Sequence, residues 1–178
     1  MSLATLLPVA DVAVGNWQTS DALNVNYYSY IDEGTTSPSD ADYIYTVTDS
    51  DIYKATLNNL PAGIWTIASV TIKVRAQHLN KAGRAFNTQL FQSDGTTALT
   101  AKTPDQTTTS SFTTYSLSTT LTGSIASADW QNAVLVIYGN VGTAELDVSA
   151  VQVEVTYQLA EDGGNDPGEQ MMGASCGM

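Results

Sequence analysis

The 178-residue chain contains one cysteine, Cys176, and one histidine, His78. A single cysteine permits no internal disulfide and no cysteine-based metal cluster, so the fold has to be held by packing. A Ser-His-Asp or Cys-His arrangement would have only His78 to draw on, and Cys176 sits near the chain end. Nucleophilic catalysis of those types is therefore not expected, and a His-rich zinc site is excluded by count. Basic residues are also scarce, six Lys and Arg against 18 Asp and Glu, for a net charge of -12. A nucleic acid or an anionic membrane would have to overcome that field, so neither is an expected partner. There is no glycine-rich phosphate loop, since the Gly163-Gly164 pair lacks a strand-helix context. No apolar run approaches the roughly 20 residues of a membrane span. Met1 to Pro8 lacks the basic start of a signal peptide, which leads us to expect a protein made and used inside a cell or released without such a signal.

What is present is Thr, Ser, Asn, Gln and Gly, with apolar residues recurring at a period of two. Thr and Ser favour strands and turns over helices. Val70, Ile72 and Val74 alternate with Thr71, Lys73 and Arg75, giving a strand with an apolar inner face and a partly cationic outer one. Val25, Tyr27, Ser29 and Ile31 read as another, with Tyr28 and Tyr30 outward. Ser93-Asp94-Gly95-Thr96 reads as a hairpin turn before a return at Thr97 to Lys102, and Thr103 to Ser111 as a long loop. Ser127 to Trp130 could form one helical turn. Ala133 to Tyr138 is a continuous apolar run, expected as a central strand covered on both faces. In the last strand Leu146 and Val148 hold one parity and Val151, Val153, Val155 and Tyr157 the other, which requires a bulge near Ser149-Ala150. Nine or ten short strands without a helical segment predict an all-β fold, a two-sheet antiparallel sandwich of jelly-roll type with an extended C-terminal tail. The expected divisions are an N-terminal arm over 1–9, the sandwich over 10–158 and the tail over 159–178, where Glu161 to Glu169 has linker composition.

All six cations, Lys54, Lys73, Arg75, Lys81, Arg84 and Lys102, fall in the middle of the chain, so Lys73 and Arg75 mark a region where a partner or a second copy could meet this acidic molecule. Asp32-Glu33, Asp40 with Asp42, and Asp49 with Asp51 read as solvated turn residues. A structural Ca²⁺ is left open there, and no cofactor is expected. Among the aromatics, Tyr28, Tyr30 and Trp65 are the candidates for stacking on sugars.

Several segments together carry a likeness: Val14-Gly-Asn-Trp17, Tyr30-Ile-Asp-Glu33 with Ser37 to Ile44, Ala68 to Ala76, Asp129 to Ile137, and Val148 to Val155. Over about residues 10 to 158 the chain resembles the jelly-roll structural modules encoded among the virion genes of tailed bacteriophages. The resemblance implies a virion component without catalytic residues, and foremost a capsid decoration or cement protein. It would be synthesised in the host cytoplasm and bound to the major capsid protein or other virion proteins at the capsid surface. It would act as a homo-oligomer, a trimer favoured, whose terminal arms contact neighbouring subunits and whose tail anchors are Met171, Met172 and Met178. The alternative is a tail-fibre, baseplate or adsorption module that binds host surface glycan.

Overall fold

The computed structural model describes residues 1–63, 65–79, 84–122, 126–142 and 144–159, with the side chains of Trp65 and Leu159 outside the description. The expected tail anchors Met171, Met172 and Met178 lie outside the described residues, as does Lys81. Among the described residues are eleven strands: β1 (Ser2–Leu6), β2 (Pro8–Ala13), β3 (Gln18–Thr19), β4 (Ile44–Thr46), β5 (Asp51–Leu57), β6 (Trp65–Leu79), β7 (Ala85–Phe91), β8 (Gln106–Thr107), β9 (Thr113–Thr119), β10 (Val134–Asn140) and β11 (Glu145–Leu159).

They form two antiparallel sheets. Sheet A runs β3-β4-β11-β6-β9, and sheet B runs β2-β5-β10-β7-β8. The long strands alternate between sheets as the chain proceeds: β4 in A, β5 in B, β6 in A, β7 in B, β9 in A, β10 in B, β11 in A. That wrapping is a jelly roll, and it makes each sheet from strands distant in sequence. The core between the sheets holds Trp17, Tyr53, Phe86 and Trp130, all at most 2% exposed, with Ile44, Ile72, Leu90, Leu135, Ile137 and Val153 fully buried. Each such aliphatic side chain contributes about 1.5–3 kcal/mol of burial.

The strand faces follow the alternation. Val70, Ile72 and Val74 are at most 1% exposed, while Thr71, Lys73 and Arg75 lie half-buried on the outer face. The bulge falls between Val148 and Ala150, which leaves Ser149 without a cross-strand partner. Gly95 takes φ +66° in the turn after β7, and the return makes only an isolated bridge, Phe91 with Ala98. The threonine-rich loop beyond it satisfies the edge of β7 with side chains: Thr103 Oγ1 accepts from the Thr88 amide at 2.9 Å and Thr100 Oγ1 from the Leu90 amide at 3.1 Å. The edge therefore avoids unpaired backbone with only two residues of paired strand in β8. Ser127–Trp130 is a single 3-10 turn. On the outer face of sheet B, Val134 and Val136 of central β10 are 2% and 0% exposed. Lys54 and Gln89 flank Val136 across the strands, and the Lys54 stem reaches over to the Gly95 carbonyl at 3.4 Å. The second cover expected over that strand is thus side-chain methylene.

Two expectations are corrected. Residues 1–9 are not a free arm. Ser2–Leu6 pairs with Val153–Tyr157 of β11, and Pro8 opens β2 on the edge of sheet B. The cause is Leu6, 1% exposed in the core, together with the stretch of β11 beyond β4 that would otherwise present unpaired backbone. The alternating run around Tyr27 is not a strand. Asn24 and Asn26 adopt φ +54° and +50°, which breaks extended backbone, and Tyr27–Tyr30 closes into a 3-10 turn. Tyr27 is buried as expected, but Val25 is 55% exposed.

Candidate functional site

The outer face of sheet A gathers side chains from five separate parts of the chain. Gln18 stands opposite Tyr45, Tyr45 opposite Asp147, and Asp147 opposite Gln77, so one row crosses β3, β4, β11 and β6. Thr113 pairs with Ala76, and the preceding Phe112 continues the row beyond Gln77. Alternation settles the facing: Ile44, Thr46, Leu146, Val148, Ala76 and His78 are buried on the inner side. Tyr43 lies two residues before Tyr45 and Arg75 two before Gln77, which sets a second row on the same face.

Three rings cluster there. Tyr43 lies 6.2 Å from Tyr45 and 5.9 Å from Phe112 between centroids, tilted 56° and 55°. Tilted contacts of this kind are favoured over face-to-face sandwiches by the ring quadrupoles. All three rings are half-buried and keep surface toward solvent. The Arg75 guanidinium sits 5.9 Å from the Phe112 centroid and is held by Asp40 in a fork, Nε to Oδ1 at 2.7 Å and Nη2 to Oδ2 at 2.6 Å. The hydroxyl of Ser149, the bulged residue, donates to Asp40 Oδ1 at 3.0 Å. Those bonds, the Arg75 fork first, hold the Asp40 carboxyl below the ordinary range. At the other end the Tyr45 hydroxyl donates to Gln18 Oε1 at 2.6 Å.

Asp147 forms the floor. It is 0% exposed, its Oδ2 accepts from Gln77 Nε2 at 2.8 Å, and its Oδ1 meets no donor. Glu145 lies two residues away on the same face and is half-buried. Burial pushes the Asp147 carboxyl up to about 7, with the Glu145 charge adding to the shift and the Gln77 bond opposing it. The Tyr43 hydroxyl is raised by burial and then by the charges of Asp147 and Glu145.

The residues expected from sequence are distributed otherwise. Arg75 belongs to this cluster. Lys73 lies further along the same face, 2.5 Å from Glu154, whose Oε1 also accepts from Gln152 at 2.9 Å. Both cations are thus engaged within the chain. Tyr28 and Tyr30 sit on the 3-10 turn packed against β2, and the Tyr30 hydroxyl is tied to Asp21 at 2.7 Å. The Trp65 side chain lies outside the described residues. His78 faces the core with Nδ1 3.2 Å from Thr108 Oγ1. Among the described residues no three or more His, Cys, Asp or Glu side chains converge where they could hold a metal. Tyr43, Tyr45, Phe112, Gln77 and Asp147 went unremarked as site residues. The available signal was a polar or aromatic residue at each outward position beside an apolar one, as in Tyr43-Ile44-Tyr45 and Leu146-Asp147-Val148.

No protein-family model matches the sequence, and no curated protein matches it. Solved structures with a similar fold include the C-terminal CBM6 of the laminarinase LamC from the marine Zobellia galactanivorans, at 11% identity and TM-score 0.48, covering 87% of this chain and 99% of that one. The enzymatically active domain of tailspike protein 4 from bacteriophage CBA120 matches at 11% identity and TM-score 0.45, over 87% of this chain and 19% of that one. The CBM36-1 domain of a multidomain xylanase from the hindgut metagenome of Trinervitermes trinervoides matches at 9% identity and TM-score 0.43, over 87% and 97%. Likenesses of this size do not transfer a ligand.

Proposed function

We propose that the chain is a non-catalytic glycan-binding module of a phage adsorption structure, and that the outer face of sheet A takes a neutral oligosaccharide of the host surface. One observation carries the reading: Tyr43, Tyr45 and Phe112 converge beside Gln18, Gln77 and the Arg75–Asp40 fork on a single solvent-facing patch. Aromatic faces accept the C–H face of a pyranose, while amides, carboxylates and guanidinium supply the paired donors and acceptors that neighbouring hydroxyls need. The fork pre-organises two of those groups, which lowers the ordering cost of binding. A neutral glycan suits the charge balance, since Arg75 and Lys73 are already paired and the whole chain carries -12. A binding role without hydrolysis is supported by the carboxyls themselves. The acids of a glycosidase must reach the scissile bond, whereas Asp147 is sealed from solvent.

Titrating the protein with neutral β-glucan and xylan hexasaccharides by calorimetry, after a glycan array, tests the reading. Tyr43→Ala and Phe112→Ala should each weaken binding about two- to tenfold, given about 0.5–1.5 kcal/mol for a lost aromatic contact. Tyr28→Ala should not. Absence of any glycan hit, or affinity indifferent to Tyr43 and Phe112, would reject it.

Capsid decoration is the second reading. It is favoured by the exposed apolar residues Leu3, Val9 and Val12 on β1 and β2, at 62%, 46% and 50%, which suit a subunit contact. Locating the chain in intact virions by electron microscopy separates a position on the shell from one at the tail.

A further inference from the structure

We infer that Ser149 and Gln152 are positioning residues of the outer face of sheet A: they fasten residues 34–42 to it as a strap, and the strap delivers Asp40 to Arg75 beside the Phe112 ring. The inference deepens the glycan reading of that face and rests on it for its functional meaning.

The strap begins at a break in the strand order. One edge of β11 is lined by β6, and the other by two strands that do not meet, β4 on Leu146 to Val148 and β1 on Val153 to Tyr157. Ser149 to Gln152 lies between them, and backbone left open there has to find another partner. The chain leaving the 3-10 turn at Tyr27–Tyr30 supplies one, because the Val151 amide donates to the Ile31 carbonyl at 3.0 Å. Gly34 then takes φ +71° and passes so close to Gln152 that a Cβ there would stand 3.1 Å from Oε1. The next amide, that of Thr35, donates to the same oxygen at 2.8 Å. Gln152 Nε2 donates to Glu154 Oε1 at 2.9 Å, which fixes the side-chain amide in one orientation. The Ser39 amide folds the strap back onto Glu33 Oε2 at 2.5 Å, and the Ser149 hydroxyl reaches Asp40 Oδ1 at 3.0 Å. Asp40 is thereby set for the fork with Arg75.

Gln152 is 5% exposed and Ser149 0%, so neither is placed to touch a ligand; their effect passes through Asp40. The fork cannot hold the strap by itself. Its two side chains keep 22% and 39% of their surface, and an exposed ion pair adds little against the entropy of ordering the residues that carry it. Hydrogen bonds from buried groups are not weakened by water in that way. With the strap detached, Arg75 loses Asp40 on both prongs, and the guanidinium now 5.9 Å from the Phe112 centroid is free to leave the patch. A ligand would then have to order that side chain at its own expense of affinity.

The test uses the full-length protein, isotopically labelled on nitrogen for NMR. The chain has two arginines, Arg75 and Arg84, so the Arg75 Nε–H signal is assigned by its loss in Arg75→Lys. Without ligand, exchange of that proton with water should be about two- to tenfold faster in Ser149→Ala and in Gln152→Met, the factor for one lost hydrogen bond. The indole signals of Trp17 and Trp130, both buried in the core, should stay in place and show that each variant is folded; two variants guard against one failing to fold. Affinity for a neutral hexasaccharide, measured by calorimetry, should fall by a similar factor. Unchanged exchange in the folded variants overturns the strap. Faster exchange with undiminished affinity overturns the positioning role. Faster exchange in a protein that binds no glycan would support the strap and reject the glycan reading instead.

Discussion

Replacing Asp11 by alanine should cost far more stability than its position on an edge strand suggests. Asp11 is half-buried on β2, and its two carboxylate oxygens take three donors. The Tyr27 amide reaches Oδ2 at 2.8 Å, and the Tyr28 amide and the Tyr53 hydroxyl reach Oδ1 at 2.8 and 2.7 Å. The first two are free amides at the start of a 3-10 turn; the third belongs to a tyrosine with 0% exposure in the core. Asp11→Ala orphans all three. A buried donor without a partner costs about 1–3 kcal/mol, and bonds to an ionised group about 1.5–3 each, so a loss of about 3–5 kcal/mol follows. Tyr53→Phe removes one donor and leaves Asp11 its two amides, for a loss of about 1 kcal/mol. In the double variant the penalty of the orphaned hydroxyl vanishes, so the two losses should fall short of additive by about 1 kcal/mol or more. Urea unfolding of the four proteins at neutral pH measures this, provided the slope with denaturant stays constant. A loss below about 1 kcal/mol for Asp11→Ala, or strict additivity, would refute the account of how the turn is fastened to sheet B.

Other outcomes follow from the same coordinates. The folded Asp147 carboxyl lies above its ordinary 3.8, at about 7, so the native state holds a proton that the unfolded chain has lost between those values. Its contribution is therefore fully present below about pH 4 and lost as pH rises through about 7, by at most about 4 kcal/mol. Urea unfolding across that range should show a decline that Asp147→Asn lessens; equal slopes in the two proteins would contradict it. Gly15 has φ +54°, and an added Cβ would strike Asp51 Oδ1 and crowd the Ile52 carbonyl, so Gly15→Ala should lower stability by about 2 kcal/mol or more. Gly95, at φ +66° with nothing near its Cβ position, should lose only about 1 kcal/mol as alanine, and thermal melts of the pair would rank them. Arg75→Lys keeps the charge but loses the fork, so glycan affinity should fall while the melting temperature changes little, which calorimetry on both properties would detect.

Much of the sandwich was readable from alternation. Val70, Ile72 and Val74 point inward because a strand buried on one face has no other register, and the parity change at Ser149-Ala150 announced the bulge. Tyr27–Tyr30 misled the reading because tyrosine favours strands, while the left-handed Asn24 and Asn26 and the Asp11 carboxylate, 16 residues earlier, fasten a turn. The N-terminal residues misled it for a similar reason. Ser2–Leu6 looks like an arm until the unpaired edge of β11, about 150 residues later, is there to receive it.

The sequence alone determined that this is an acidic β-protein with one cysteine and one histidine, since composition and period are local properties of the chain. Only the tertiary structure decided where its candidate site lies. Gln18, Tyr45, Asp147, Gln77 and Phe112 become neighbours because the jelly roll returns its strands to sheet A out of sequence order. Asp147 departs from an ordinary carboxylate because the fold buries it and brings the Glu145 charge near it, against the opposing Gln77 bond, and no pattern along the chain encodes that burial.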